Sequence, residues 1–304
     1  MQQYVLGRLV QLVVVMIGIS VITFCLTFVL GDPVAVLLPL DAPAETKASF
    51  RREMGLDQPL IVQYGRFASG AIRGDFGESF VMHKSALSLV SERLAATYQL
   101  ALAGILFALV IAVPLGTLAA YRRGTAIDSI CTMIAVAGQA IPIYWLGLML
   151  MIVFAVQLKW LPASGYGEPA NFVLPTIALG SFLAPISMRL VRSNMIDILS
   201  QDYIRTARAK GLAGAAVLAR HAFKNAALPV IAVLGLQFGQ LLGGAVVTET
   251  VFSWPGVASF TVSSIANGDY PVVQAAVVIL AASICIVNLS VDVLIGYLDP
   301  RIRQ

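Results

Sequence analysis

Six stretches of this chain run for about twenty residues or more with almost no charge: 9–30, 97–121, 130–158, 172–191, 228–248 and 272–295. One helical crossing of a bilayer takes about 20 apolar residues, and runs of that length exceed what a soluble core calls for. Lipid supplies no hydrogen bonds, so each crossing must satisfy its own backbone, which a helix does. The balance of residues agrees, with 12% charged, where a soluble domain carries about 25%. The expectation is an all-α integral membrane protein with six transmembrane helices. Within that set the fourth stretch is the weakest, interrupted by Pro175 and Pro185 and ending at Arg189.

The first stretch resembles a signal peptide, because Arg8 precedes it. Its 22 uncharged residues are too long for a signal core, and no small-residue cleavage site closes it. It reads as an anchored helix. Cys25, Cys131 and Cys285 all fall inside apolar stretches without a CxxC or Cys/His spacing, so they read as small buried hydrophobes with no redox role.

Orientation comes from the basic residues. Six crossings put both termini on one side, and placing them inside gives the cytoplasm twelve cations: Arg8, Arg122, Arg123, Arg189, Arg192, Arg205, Arg208, Lys210, Arg220, Lys224, Arg301 and Arg303. Among the short outer loops only Lys159 opposes them. Seven more cations lie in residues 31–96, a segment long enough to count little toward topology. Both termini are therefore expected in the cytoplasm. This distribution also explains the net charge of +4 without invoking nucleic acid. Three parts follow: a first helix at 1–30, an extracytoplasmic cap at 31–96, and a core at 97–304 with a cytoplasmic loop at 192–228.

That loop has a pattern of its own. Asp202 opens a short helical run that closes on Lys210, an order that suits the helix dipole. Gly211 stands where a left-handed stop is needed. A second helical run then carries Arg220 and Lys224 before Pro229. The small residues Ala207, Ala209, Gly211, Ala213, Gly214, Ala215 and Ala216 allow another surface to come close, which a loop that only hugs anionic lipid does not require. The reading is a compact knuckle that docks a soluble partner.

Tyr203-Ile-Arg205-Thr206-Ala207-Arg-Ala-Lys210-Gly211, followed by Arg220-His221 and Lys224-Asn225, resembles the EAA loop of ATP-binding-cassette importer permeases in the dipeptide, oligopeptide, nickel and glutathione branch. Arg205-Thr206-Ala207 stands where the wider family has Glu-Ala-Ala, and the proline comes later. The resemblance extends along the chain through Gly31-Asp-Pro33, Gly55-Leu-Asp-Gln-Pro-Leu60, Gly74-Asp-Phe-Gly77, Trp160-Leu-Pro162, Phe252-Ser-Trp-Pro-Gly256, Asp269-Tyr-Pro271 and Asp299-Pro-Arg-Ile-Arg303. It implies a type I importer permease fold in the bacterial inner membrane. The knuckle would seat in a nucleotide-binding subunit, with two ATP-binding chains, a second homologous permease and an extracytoplasmic solute-binding protein as partners. The implied solute is a di- or oligopeptide, with nickel or glutathione as alternatives.

Catalytic patterns are missing from the chain. There is no GxxxxGK[ST], no HExxH and no GxSxG. His83 and His221 are expected on opposite faces of the membrane and could not share a metal. The chain is thus expected to bind no cofactor itself, with ATP and magnesium in partner subunits. A stand-alone carrier or channel, or a structural assembly protein, are the readings from other classes.

Polar and small residues in the spans are pathway or interface candidates. Asn288 and Asp292, four apart near the end of the last stretch, read as an interfacial pair satisfied by neighbouring helices, or as a gate or a contact with the partner permease. Glu249 and Asp269 bracket the last outer loop and read as solvated loop acids, or as a seat for a cationic amino terminus or for the binding protein. Gly235, Gly239 and Gly243 recur every four residues and form a smooth face expected to pack tightly.

Overall fold

The computed structural model describes residues 2–30, 34, 38–39, 41–218 and 223–298, and nearly all of its regular structure is helix. In chain order the helices are α1 (Gln2–Leu30), α2 (Ala44–Glu53), α3 (Leu60–Arg73), α4 (Ala86–Tyr121), α5 (Ala126–Ala140) and α6 (Ile143–Leu150), which continues as a π-helix over Met151–Gln157. Then follow α7 (Pro169–Leu199), α8 (Asp202–Ala209), α9 (Gly214–Ala216), α10 (Phe223–Gly244), α11 (Val246–Val251), α12 (Val257–Ala266) and α13 (Tyr270–Leu298). Four of them, α1, α4, α7 and α13, are long and apolar enough to cross a membrane, and the α5–α6 pair makes a fifth if its two legs count as one crossing.

Three of the expected spans take a different form. The third is not one helix: it breaks after Ala140, and its legs Ala126–Ala140 and Ile143–Gln157 meet at 95°. Pro142 has no N–H, and it pushes Ile141 into the extended region (φ −82°, ψ 121°). The fourth is not interrupted at all, since α7 runs unbroken through Pro175 and Pro185 and ten residues beyond Arg189. In α10, the expected fifth span, the apolar core of the described residues is only Val233–Gly243.

The chain divides into two compact units, Tyr98–Trp254 with the chain from Val287 on, and Gln2–Thr97 with Pro255–Ile286. In the first, α7 is central and packs against α5, α6, α10 and α11. Twelve of its residues are buried, among them Leu179, Leu183, Met188 and Met195. In the second unit, α1 meets α3 through the Ser20–Tyr64 hydroxyl pair at 2.9 Å and through Phe24 on Tyr64 and Phe67. Its core gathers Leu89, Val90, Val257, Val272 and Ala276. The cysteines are free thiols: Cys131 is buried and Cys285 half-buried, but Cys25 is exposed on α1, contrary to the reading of all three as buried.

Candidate functional site: an amphipathic knuckle tied to the central helix

Within residues 200–218, α8 has two unlike faces. Ile204 and Ala207 turn inward and are buried, joining Val217 in a core with Ala120, Val191, Met195 and Val230. Tyr203, Arg205, Thr206, Arg208 and Lys210 are exposed. The apolar face thus fixes the knuckle to the bundle and leaves a cationic face outward. Arg205 and Asp202 stand 3.9 Å apart in full exposure, too screened a pair to order the surface.

The stop at Gly211 has a definite geometry. Its φ is +78°, a conformation that glycine takes without the Cβ penalty. Its N–H donates to the Arg208 carbonyl at 2.9 Å, and the Leu212 N–H reaches back to that of Ala207 at 3.4 Å. This double closure is the Schellman ending of a helix. Next, Gly214 packs under Tyr121: a Cβ there would lie 2.8 Å from the Tyr121 hydroxyl. The end of α4 therefore bears directly on the knuckle. Arg220 and His221 lie outside the described residues, and Asn225 is described only as backbone within α10.

A second connection was not read from the sequence. Arg192 on α7 grips Asp128 at the start of α5 in bidentate fashion, Nε to Oδ1 at 2.6 Å and Nη2 to Oδ2 at 2.8 Å. The Gly124 N–H donates to Oδ2 at 3.0 Å. Two parallel charge-assisted bonds fix both position and orientation. The helix that carries the knuckle is thereby fastened to the first leg of the broken span. The partners are 64 residues apart, so no local pattern signals them.

The remaining candidates do not form one site. Gly235 faces α13, where a Cβ would lie 2.5 Å from Val291, and Gly239 is buried, but Gly243 is exposed with nothing within 4 Å. Uniform tight packing along that face does not hold. Asn288 is half-buried, and its Oδ1 accepts no hydrogen bond among the described residues. Asp292, one turn on, is half-buried. Glu249 and Asp269 are not solvated loop acids: they are 0% and 3% exposed. Asp269 takes the Ser79 hydroxyl on one oxygen and the Phe80 N–H on the other, the latter at 3.0 Å, and so pins the loop 77–85. Buried carboxylates find such partners because desolvating one alone is costly.

Comparison with known proteins follows the same outline. A family model described as "Binding-protein-dependent transport system inner membrane component" matches residues 112–304, and that of its N-terminal region matches residues 1–101. The chain is 38% identical over 304 residues to the glutathione transport system permease protein GsiC of Salmonella paratyphi A, covering all of this chain and 99% of that one. GsiC of Escherichia coli K12 matches to the same extent. An inward-facing structure of the MetNI methionine ABC transporter superposes with a TM-score of 0.59 at 18% identity, covering 70% of this chain and 97% of that one. At that identity the likeness speaks for the fold.

Proposed function

The chain belongs to the family of inner membrane components of binding-protein-dependent transport systems, and on that premise we propose that it forms half of the pathway of an importer for short peptides, glutathione among them. It is a multi-pass permease of an ATP-driven importer and is not itself catalytic; hydrolysis lies in separate subunits. The peptide reading is supported most by the full-length similarity to GsiC, whose solute is itself a tripeptide.

In this reading the exposed face of α8 lies on the cytoplasmic side and seats in an ATP-binding subunit. Two such subunits, a second homologous permease and an extracytoplasmic solute-binding protein complete the assembly, and the six expected crossings place both termini inside. Magnesium and ATP belong to the partner subunits. When those subunits close, the knuckle moves as one body with the bundle, because Ile204, Ala207 and Val217 share a core with Val191 and Met195 of α7. The Arg192–Asp128 pair then passes the displacement to α5. Binding energy from the motor is useful only if the connection is stiff, and a packed core with a bidentate tie is stiff.

Replacing Gly211 with valine tests the docking. A β-branched residue at φ +78° is strained by about 1–2 kcal/mol and re-aims the chain after α8. The expected outcome is uptake reduced at least tenfold, with the amount of protein in the membrane unchanged and ATP hydrolysis no longer responding to solute. Normal uptake in Gly211→Val would contradict the docking role. Accumulation of radiolabelled glutathione and of a dipeptide, in cells whose other peptide importers are deleted, tests the solute class.

A further inference from the structure

The broken span holds polar backbone where lipid would not tolerate it. Each leg has 15 residues, so each is about 22 Å long. Bent by 95°, they reach about 30 Å from end to end, close to the roughly 30 Å of a hydrocarbon core. Charges mark the two ends, Arg122 and Arg123 before the first leg, Asp128 in its first turn and Lys159 after the second. The apex at 140–142 therefore lies near half depth. There Pro142 offers no N–H, and no backbone N–H among the described residues reaches the carbonyls of Gly138, Gln139 or Ala140. Free carbonyls at that depth must face water or polar groups rather than acyl chains.

Side chains at the apex are mixed, with the Gln139 amide beside the apolar Ala140, Ile141 and Pro142. Gln139, Ala140, Ile141 and Pro142 are exposed in this chain, and Tyr144 and Trp145 present 56% and 48% of their surface. Tyrosine and tryptophan favour the membrane interface, where the polar edge meets headgroups; half depth is not that place. A helix that ends in open carbonyls carries partial negative charge, and it attracts cations. A tryptophan face attracts cations through its quadrupole, and Trp145 follows the break at Pro142 by three residues. Interrupted helices at the bilayer midplane meet charged solutes in this way.

We infer that the apex at 140–142 is a water-lined station of the pathway that holds the protonated amino group of the passing solute, through the end carbonyls of α5, the Gln139 amide oxygen and the Trp145 ring. The inference rests on the peptide reading above, and it adds the contact point and the chemical group recognised. Lipid as the occupant would leave the carbonyls unsatisfied. A neighbouring permease would cover the apex whether or not solute is present.

The test uses the assembled complex in vesicles, with Cys25, Cys131 and Cys285 replaced by alanine. Gln139→Cys and Trp145→Cys are introduced singly, with Val14→Cys on the exposed side of α1 as the lipid-facing control. A charged, membrane-impermeant maleimide is expected to label positions 139 and 145 but not 14. A peptide with a free amino terminus is expected to slow that labelling at least fivefold, and its N-acetylated form is not. Absence of labelling at 139 and 145, or equal slowing by the two peptides, overturns the inference. Uptake of radiolabelled peptide by the cysteine-free parent is measured in the same vesicles. Uptake without labelling overturns the inference and leaves the function standing; amine-dependent protection without uptake supports the apex contact and overturns the reading as an importer. Trp145→Leu supplies a functional check, expected to lower uptake of the free-amine peptide about tenfold and to leave that of the acetylated peptide unchanged.

Discussion

Prolines occur inside two neighbouring apolar segments with opposite results: α7 passes straight through Pro175 and Pro185, whereas the span before it turns by 95° at Pro142. A proline in a helix interior costs about 3 kcal/mol through a lost hydrogen bond and a clash with the preceding turn. Around the α7 prolines the packing offsets that cost. Leu174, Pro175, Ala184 and Pro185 are all buried, and helices lie against α7 from several sides. Around Pro142 nothing clamps the chain: residues 139–142 are exposed. Pro114 is an intermediate case: its ring is exposed, yet α4 is unbroken there and Ala112 and Gly116 on either side are buried. Tertiary contact, not residue type, decides whether a proline bends a helix here.

The largest expected effect comes from cutting the tie between these two segments. Asp128→Ala leaves the part-buried Arg192 guanidinium without its bidentate partner, and stability should fall by about 2–3 kcal/mol. Thermal unfolding in detergent checks this, and Asp128→Ala combined with Arg192→Leu should recover part of the loss. A fall no larger than about 0.5 kcal/mol would mark the pair as an ordinary surface contact.

Glycines on α10 offer the same contrast in miniature. Gly235→Ala forces a methyl against Val291, and overpacking of that kind costs about 2 kcal/mol. Gly243→Ala meets open space and should be neutral or gain up to about 1 kcal/mol from helix propensity. Equal effects at the two positions would erase the distinction between packed and open faces.

The smallest changes are expected from the prolines themselves. Pro185→Ala should alter stability by less than about 1 kcal/mol, because its neighbours already hold the helix. Pro142→Ala should be as mild in stability, yet it permits the two legs to straighten. Circular dichroism should register added helix in Pro142→Ala alone, and transport should fall in that variant alone. A loss of transport in Pro185→Ala would place the functional bend in α7 instead.

Much of this was visible in the residues. Apolar runs located α1, α4, α7, α10 and α13, because lipid imposes length and polarity on any segment that crosses it. Gly211 marked its own turn, a local matter of one backbone angle. The failures share a cause. Whether Pro142 breaks a helix depends on neighbours that come from distant parts of the chain. The same holds for Asp128 and Arg192, and for Asp269, whose partners Ser79 and Phe80 lie about 190 residues away. Loop acids look solvated until the contact that buries them is known. The segment read as a cap at 31–96 runs into α4, whose first turns are residues 86–96, with Ala86, Leu89 and Val90 packed in a core.

In the proposed mechanism the outward face of α8 meets the motor. A photoreactive amino acid at Tyr203, in the complex purified with its partner chains, tests it directly. A crosslink to an ATP-binding subunit is expected, with a yield that changes between the nucleotide-free and ATP-bound states. A crosslink to the solute-binding protein, or none in a complex that hydrolyses ATP, would contradict it.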